Sequence, residues 1–158
     1  MPSERRPTLY YIHTIPGIEG VARDELATLL GVFVLEGFKT VPDRNGMVVF
    51  STTEDARRLM DLRLAEDVFV LLARVPDIPW GWEGLAVLRE RLPRALALNH
   101  GLNVLRSVRA IRPDGPLTFR TIARVAGSGQ PYRRADLVDV VSKAVRGRSR
   151  QQWKSVPS

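Results

Sequence analysis

The sequence predicts an α+β protein: a four-stranded antiparallel sheet with two helices, followed by a second half built mainly from helices. Three observations predict it. Apolar positions switch repeatedly between a period of two and a period near 3.6. Gly, Pro and Asn punctuate those switches at turn spacing. Pro76 and Pro79 then interrupt the chain before a new element opens at Trp80-Gly81-Trp82, which sets an expected boundary between residues 1–78 and 79–158.

In the first half, Thr8 to Thr14 is rich in aromatic and β-branched residues and reads as a strand that Ile15-Pro16-Gly17 ends. A helix follows, with Ile18, Val21, Ala22, Leu26, Leu29 and Leu30 on one stripe and Gly31 as its stop. Val32 to Val41 reads as a second strand and Met47 to Ser51 as a third. Asp43-Arg44-Asn45-Gly46 is a hairpin signal, because Asn-Gly tolerates positive φ. Thr52 or Thr53 can cap a short helix carrying Ala56, Leu59, Met60 and Leu64, with Arg57, Arg58 and Arg63 outward. Asp67 to Val75 is mostly apolar and suits a buried strand. The order βαββαβ is that of the ferredoxin-like arrangement, with both helices on one sheet face.

In the second half, Trp82, Leu85, Leu88, Leu92 and Leu96 recur at helical spacing, with Pro93 placed to kink or shorten the helix. Leu98 to Ile111 fits a helix only roughly. Arg112-Pro113-Asp114-Gly115-Pro116 is a turn. Phe119, Thr121, Ala123 and Val125 then alternate with Arg120, Ile122 and Arg124, as in a strand with one buried face. Leu137, Val140, Val141, Ala144 and Val145 form a last helical stripe that Gly147 can stop. One strand among helices leaves its edges unpaired. This half is therefore expected either to borrow a strand from the first or to belong to a longer chain.

Composition excludes several chemistries. The 158 residues suffice for one ample core or two small domains, and 44% hydrophobic with 26% charged is ordinary for a globular protein. There is no cysteine, hence no disulfide, thiolate or Cys-ligated zinc. His13 and His100 have no ligand-spaced companions, so no metal is expected. No signal-like or membrane-length apolar block occurs; the longest purely apolar run is Val68 to Ala73. The cytoplasm is the default compartment, and no membrane partner is expected.

Charge is distributed unevenly. From Gly101 onward twelve basic residues face three acidic ones, a balance of +9, whereas the first 100 residues carry twelve basic and fourteen acidic, a balance of −2. Such asymmetry is the footprint of a polyanion partner or of a basic, solvated surface. Arg120 and Arg124 stand about 13 Å apart on an extended strand at about 3.3 Å per residue. They can reach two phosphates or merely border solvent. Arg133 and Arg134 sit at a helix entrance, where free N–H groups assist anions although cations there oppose the dipole. Lys143, Arg146 and Arg150 lie opposite the apolar stripe, but Asp136 and Asp139 share that side, so a salt-bridged solvated face is the competing reading. Arg148, Arg150 and Lys154 form a basic tail. Tyr132 is the better candidate for stacking on a base. Trp80 and Trp82 are expected to pack at the domain junction, and the carboxylates of Glu19, Asp24 and Glu25 to be surface charge.

Pro16-Gly17-Ile18-Glu19 with Glu25-Leu26, then Leu62-Arg63-Leu64-Ala65-Glu66-Asp67, then Phe119-Arg120 with Arg124, and Arg134 with its apolar helix, together resemble the N-terminal part of THUMP-containing RNA methyltransferases. The resemblance spans nearly the whole chain through short motifs. It implies a ferredoxin-like domain followed by a THUMP domain of order ααβαββ, the pair presenting structured RNA, tRNA or rRNA, to a class I S-adenosylmethionine-dependent catalytic domain. The chain departs from the pattern in two respects. The last two THUMP strands are missing or barely begun after Lys154, and no Asn-Pro-Pro-Tyr or Asp-Pro-Pro-Tyr motif occurs. Ala126-Gly127-Ser128-Gly129 lacks the third glycine of a dinucleotide fingerprint and the Lys-Ser/Thr of a phosphate loop, and reads as a connector. No catalytic residue and no cofactor is therefore expected within the chain, S-adenosylmethionine being implied only for a catalytic domain elsewhere. The alternatives are a free-standing adaptor that brings RNA to a separate enzyme and a small phosphate-ester hydrolase, the latter lacking any nucleophile, base or metal cluster.

Overall fold

The computed structural model describes residues 6–41, 44–109, 117–125, 129–148 and 154–156. They form an α+β protein of two compact units: the first runs to Leu71 and takes in a segment beginning at Gly101, and the second contains Leu72–His100 and the remainder.

In the first unit, β1 (Thr8–Thr14), β2 (Val34–Val41), β3 (Asn45–Thr52) and β4 (Asp67–Val70) make an antiparallel sheet in the order β2-β3-β1-β4. Helix α1 (Glu19–Leu30) connects β1 to β2 across β3, and a 3-10 helix (Ala56–Asp61) connects β3 to β4 across β1. Both crossovers cover one face. Alternation in β1 and β3 sends Tyr10, Ile12, Val48 and Phe50 into a core with Ala22, Leu26 and Leu30 of α1 and Ala56 and Leu59 of the 3-10 helix. Phe50 anchors it, stacked on Tyr10 at 5.6 Å and edge-on to Phe33 at 6.1 Å. Helix α3 (Leu98–Val108) adds Val104 and Val108, one turn apart, to that cluster.

Four expectations are corrected here. Asn45-Gly46 is not the hairpin turn: Val41 pairs with Asn45 and Thr40 with Gly46, so both residues belong to the ladder. A Cβ at Gly46 would collide with Glu19 Oε1 and Thr14 Oγ1, and that close approach is why a glycine stands there. The second crossover is a six-residue 3-10 helix capped by Asp55, whose carboxylate accepts the Arg57 N–H at 3.0 Å, while Thr52 remains in β3. Strand β4 is shorter than expected and lies at the sheet edge, paired only with β1; just beyond it the Leu71 N–H still reaches Leu9 O at 2.8 Å. Glu19, expected at the surface, is buried.

In the second unit, α2 (Trp82–Ala95) continues through Pro93, which falls in the last turn, and α4 (Arg134–Arg148) packs against it. The Gly81 N–H at the head of α2 donates to Gln130 Oε1 just ahead of α4 (2.9 Å), and Arg148 at the tail of α4 reaches carbonyls in the last turn of α2. The two helices therefore run parallel. Strand β5 is only Thr118–Phe119, and it pairs in parallel with β6 (Lys154–Ser155), with α4 as the crossover that a parallel pair requires. The partner strand thus comes from the same half of the chain, from the segment after Lys154 where strands were expected to be missing or barely begun, and the ladder joins two residues on each side.

Candidate nucleic-acid interface

Helix α4 supplies the frame of the basic segment. Asp136 starts it, its carboxylate accepting the Arg133 main-chain N–H at 2.6 Å while Arg133 O receives the N–H of Asp136 at 3.1 Å. Val140, Ala144 and Val145 are buried, and Ser142, also buried, shares a 3.0 Å hydrogen bond with Thr121. That bond lays residues 120–125 against α4.

Residues 117–125 keep the expected alternation although only two of them join a ladder: Phe119, Thr121, Ala123 and Val125 are half-buried, and Arg120, Ile122 and Arg124 are exposed. With Thr121 held to α4, Arg120 and Arg124 project away from it. Ser142 lies eight residues beyond Arg134, about 12 Å along the helix at about 1.5 Å per residue.

The other cations have distinct fates. Arg133 and Arg134 are exposed at the head of α4. Lys143 pairs with Asp139 at 2.9 Å one turn away, so the salt-bridged reading of that face holds for this residue. Exposed pairs of this kind hold together by only about 0–1 kcal/mol. Arg146 is exposed near them. Arg148 has a structural post: its Nε donates to Pro93 O at 2.6 Å and its second nitrogen to Arg94 O at 3.1 Å, capping the carboxyl end of α2. Lys154 is exposed in β6, and Arg150 lies outside the described residues. Both acidic residues described between 117 and 156 are engaged, Asp136 with a main-chain N–H and Asp139 with Lys143. Among the described residues, no carboxylate reaches the side chains of Arg120, Arg124, Arg133, Arg134, Arg146 or Lys154.

The head of the α2–α4 pair gathers aromatic groups beside two of these arginines. Tyr132 meets Trp82 edge-on, ring centres 6.2 Å apart. Trp80 is 68% exposed and Trp82 57% exposed, contrary to the expectation that they pack away. Gly81 between them adopts φ 84°, ψ −161°, which L side chains avoid. The sequence showed both tryptophans but not their exposure, since the turn that displays them is pinned by a residue 49 positions away.

The motif residues of the first unit prove to be structural ties. The Glu25 carboxylate accepts the N–H groups of Arg63 (2.9 Å) and Leu64 (3.1 Å), and Glu66 accepts from Asn45 at 3.2 Å. The Glu19 carboxylate accepts from Thr40 Oγ1 at 2.8 Å and from the Gly17 N–H at 3.1 and 3.2 Å. The Thr40 hydroxyl, followed by main-chain N–H donors, holds its carboxyl below the ordinary glutamate range. Among the described residues, no three His, Cys, Asp or Glu side chains gather as a metal ion would need, and no helix is long and apolar enough to cross a membrane.

No protein-family model matches the chain, and no curated protein matches it. Two solved structures share its fold. A predicted N6-adenine-specific DNA methylase from Listeria monocytogenes strain 4b F2365 superposes with a TM-score of 0.60 at 19% identity, over 94% of this chain and 35% of the other. A possible methylase from Clostridium difficile 630 gives 0.54 at 19% identity, over 96% and 37%. The chain thus has the fold of roughly a third of each of two proteins described as methylases.

Proposed function

We propose that this chain is the RNA-binding part of an RNA methyltransferase, a ferredoxin-like unit followed by a THUMP-type unit that positions structured RNA, tRNA or rRNA, for a class I catalytic domain. The sheet order β2-β3-β1-β4 with two crossovers on one face supports the ferredoxin-like assignment, and the order α2, α3, β5, α4, β6 supports the THUMP-type one. The fold shared with two methylases supports a place beside methyl transfer. S-adenosylmethionine would belong to the catalytic domain.

The observation that carries the reading is the set of cations in the second unit that, among the described residues, no carboxylate reaches, while Asp136 and Asp139 are each engaged elsewhere. Such side chains are available to phosphates, and each phosphate they neutralise releases condensed counterions. Paired RNA presents phosphates and 2′-hydroxyls rather than readable base edges, so recognition here is by shape and charge. The test is binding of tRNA, with duplex DNA of equal length in parallel, over a salt series. Affinity that falls steeply with salt and favours RNA is expected. Affinity no greater than that of a neutral protein of this size would end the proposal, and preference for DNA would turn it toward the substrate named for the Listeria protein.

A further inference from the structure

We infer that Trp80, Trp82 and Tyr132, with Arg133 and Arg134, form a platform that stacks an unpaired RNA nucleobase and holds the phosphates flanking it. The inference rests on the RNA reading above and deepens it, because it adds contact with one base to contact with the backbone.

Trp80 and Trp82 leave 68% and 57% of their surface in water. Rings of this size ordinarily contribute their stabilisation by burial. Here the fold holds them out: the Gly81 N–H is fixed by Gln130 Oε1 at 2.9 Å in a backbone conformation open to glycine, with Pro131 alongside. The turn bearing the tryptophans is thereby pinned to the turn bearing Tyr132, Arg133 and Arg134, and the Trp82–Tyr132 ring contact closes the link. Neither arginine has a carboxylate partner among the described residues, and both stand where the α4 dipole disfavours a cation. Helix stability therefore does not explain their presence.

Exposed aromatic faces rimmed by unpaired guanidinium groups are the composition of sites that take unpaired nucleotides, where the base stacks and the arginines meet phosphate. A protein partner covering two indoles would be matched by an apolar or acidic rim. The rim here carries Arg133 and Arg134 against the exposed carboxylate of Glu83 in the first turn of α2, a basic balance that favours nucleic acid. Bases inside a duplex have their faces covered by neighbours, so the platform selects nucleotides that have left the stack.

The experiment uses the full 158-residue chain carrying Trp153→Phe, so that indole emission reports Trp80 and Trp82 alone. It is titrated with a blunt RNA duplex and with the same duplex bearing one bulged nucleotide. The bulged duplex should quench emission and bind about tenfold more tightly, the scale of one stacked base. Trp80→Ala with Trp82→Ala should bind both duplexes as the parent binds the blunt one, with an unchanged salt slope, whereas Trp80→Phe with Trp82→Phe should keep the preference. Equal affinity of the parent for both duplexes, or a preference that survives the alanine pair, overturns the platform while leaving the RNA reading intact. Emission unmoved by either RNA overturns it too. Failure to bind either duplex overturns both readings.

Discussion

Glu19 is a carboxylate whose role lies in the fold rather than in chemistry. Its acceptors are filled by Thr40 and Gly17, and its seat exists because Gly46 has no side chain. Since its folded-state pKa is depressed, the unfolded chain takes up a proton first as pH falls. The stabilisation is complete above the unfolded glutamate value, about 4.3, and is lost as pH drops through the folded value. Glu19→Gln should therefore lower the melting temperature at neutral pH, and the gap between variant and parent should narrow below about pH 4, as followed by thermal denaturation across pH. Gly46→Ala should displace the carboxylate and produce the same narrowing gap. A gap constant with pH would show that the charge of Glu19 contributes nothing. None of this was legible in Pro16-Gly17-Ile18-Glu19 itself, because whether a carboxylate is satisfied depends on Thr40, 21 residues on.

Elements were legible where their signal is local and obscure where it lies in a distant partner. Alternation over residues 119–125 did foretell which side chains are half-buried, since exposure of successive residues in an extended chain needs no knowledge of what covers them. It did not foretell that the ladder would stop after Phe119, because β6 lies 35 residues away and pairs only two residues. The parallel course of α2 and α4 is likewise fixed by contacts between their ends. Gly84, in the first turn of α2, makes this testable. By helix propensity alone, alanine there is favoured by about 1 kcal/mol. Its Cβ, however, would strike Pro79 O and come within 2.9 Å of Ile78 Cγ2, and a carbonyl of the main chain cannot swing aside. Gly84→Ala should therefore destabilise the protein by about 1–3 kcal/mol, the usual cost of overpacking. A chemical denaturation curve reads that as a lower midpoint. Arg148→Ala should weaken the same helix pair from its other end by removing two hydrogen bonds, each with a net worth of about 1 kcal/mol.

For the molecule as a whole, the uneven charge was legible as a number and illegible as a surface. Counting bases after Gly101 could not separate Arg148, which caps a helix, or Lys143, which meets Asp139, from the arginines that face solvent without a carboxylate. That separation yields a prediction that net charge alone does not make. Replacing Arg120, Arg124, Arg133 and Arg134 by alanine removes four charges, as does replacing Arg23, Arg58, Arg94 and Lys143, each of which already meets a carboxylate. If binding followed total charge, the two quadruple variants would lose the same salt dependence. If it follows availability to phosphate, the first should lower the slope of log affinity against log salt by up to about 0.9 for each phosphate that is no longer neutralised. The second should change it little, because two of its cations lie in the weakly charged first unit and the other two are engaged. Titration of one tRNA with both variants between low and physiological salt compares them directly, and equal slopes would mean that the basic half attracts RNA as a diffuse cloud rather than through these side chains.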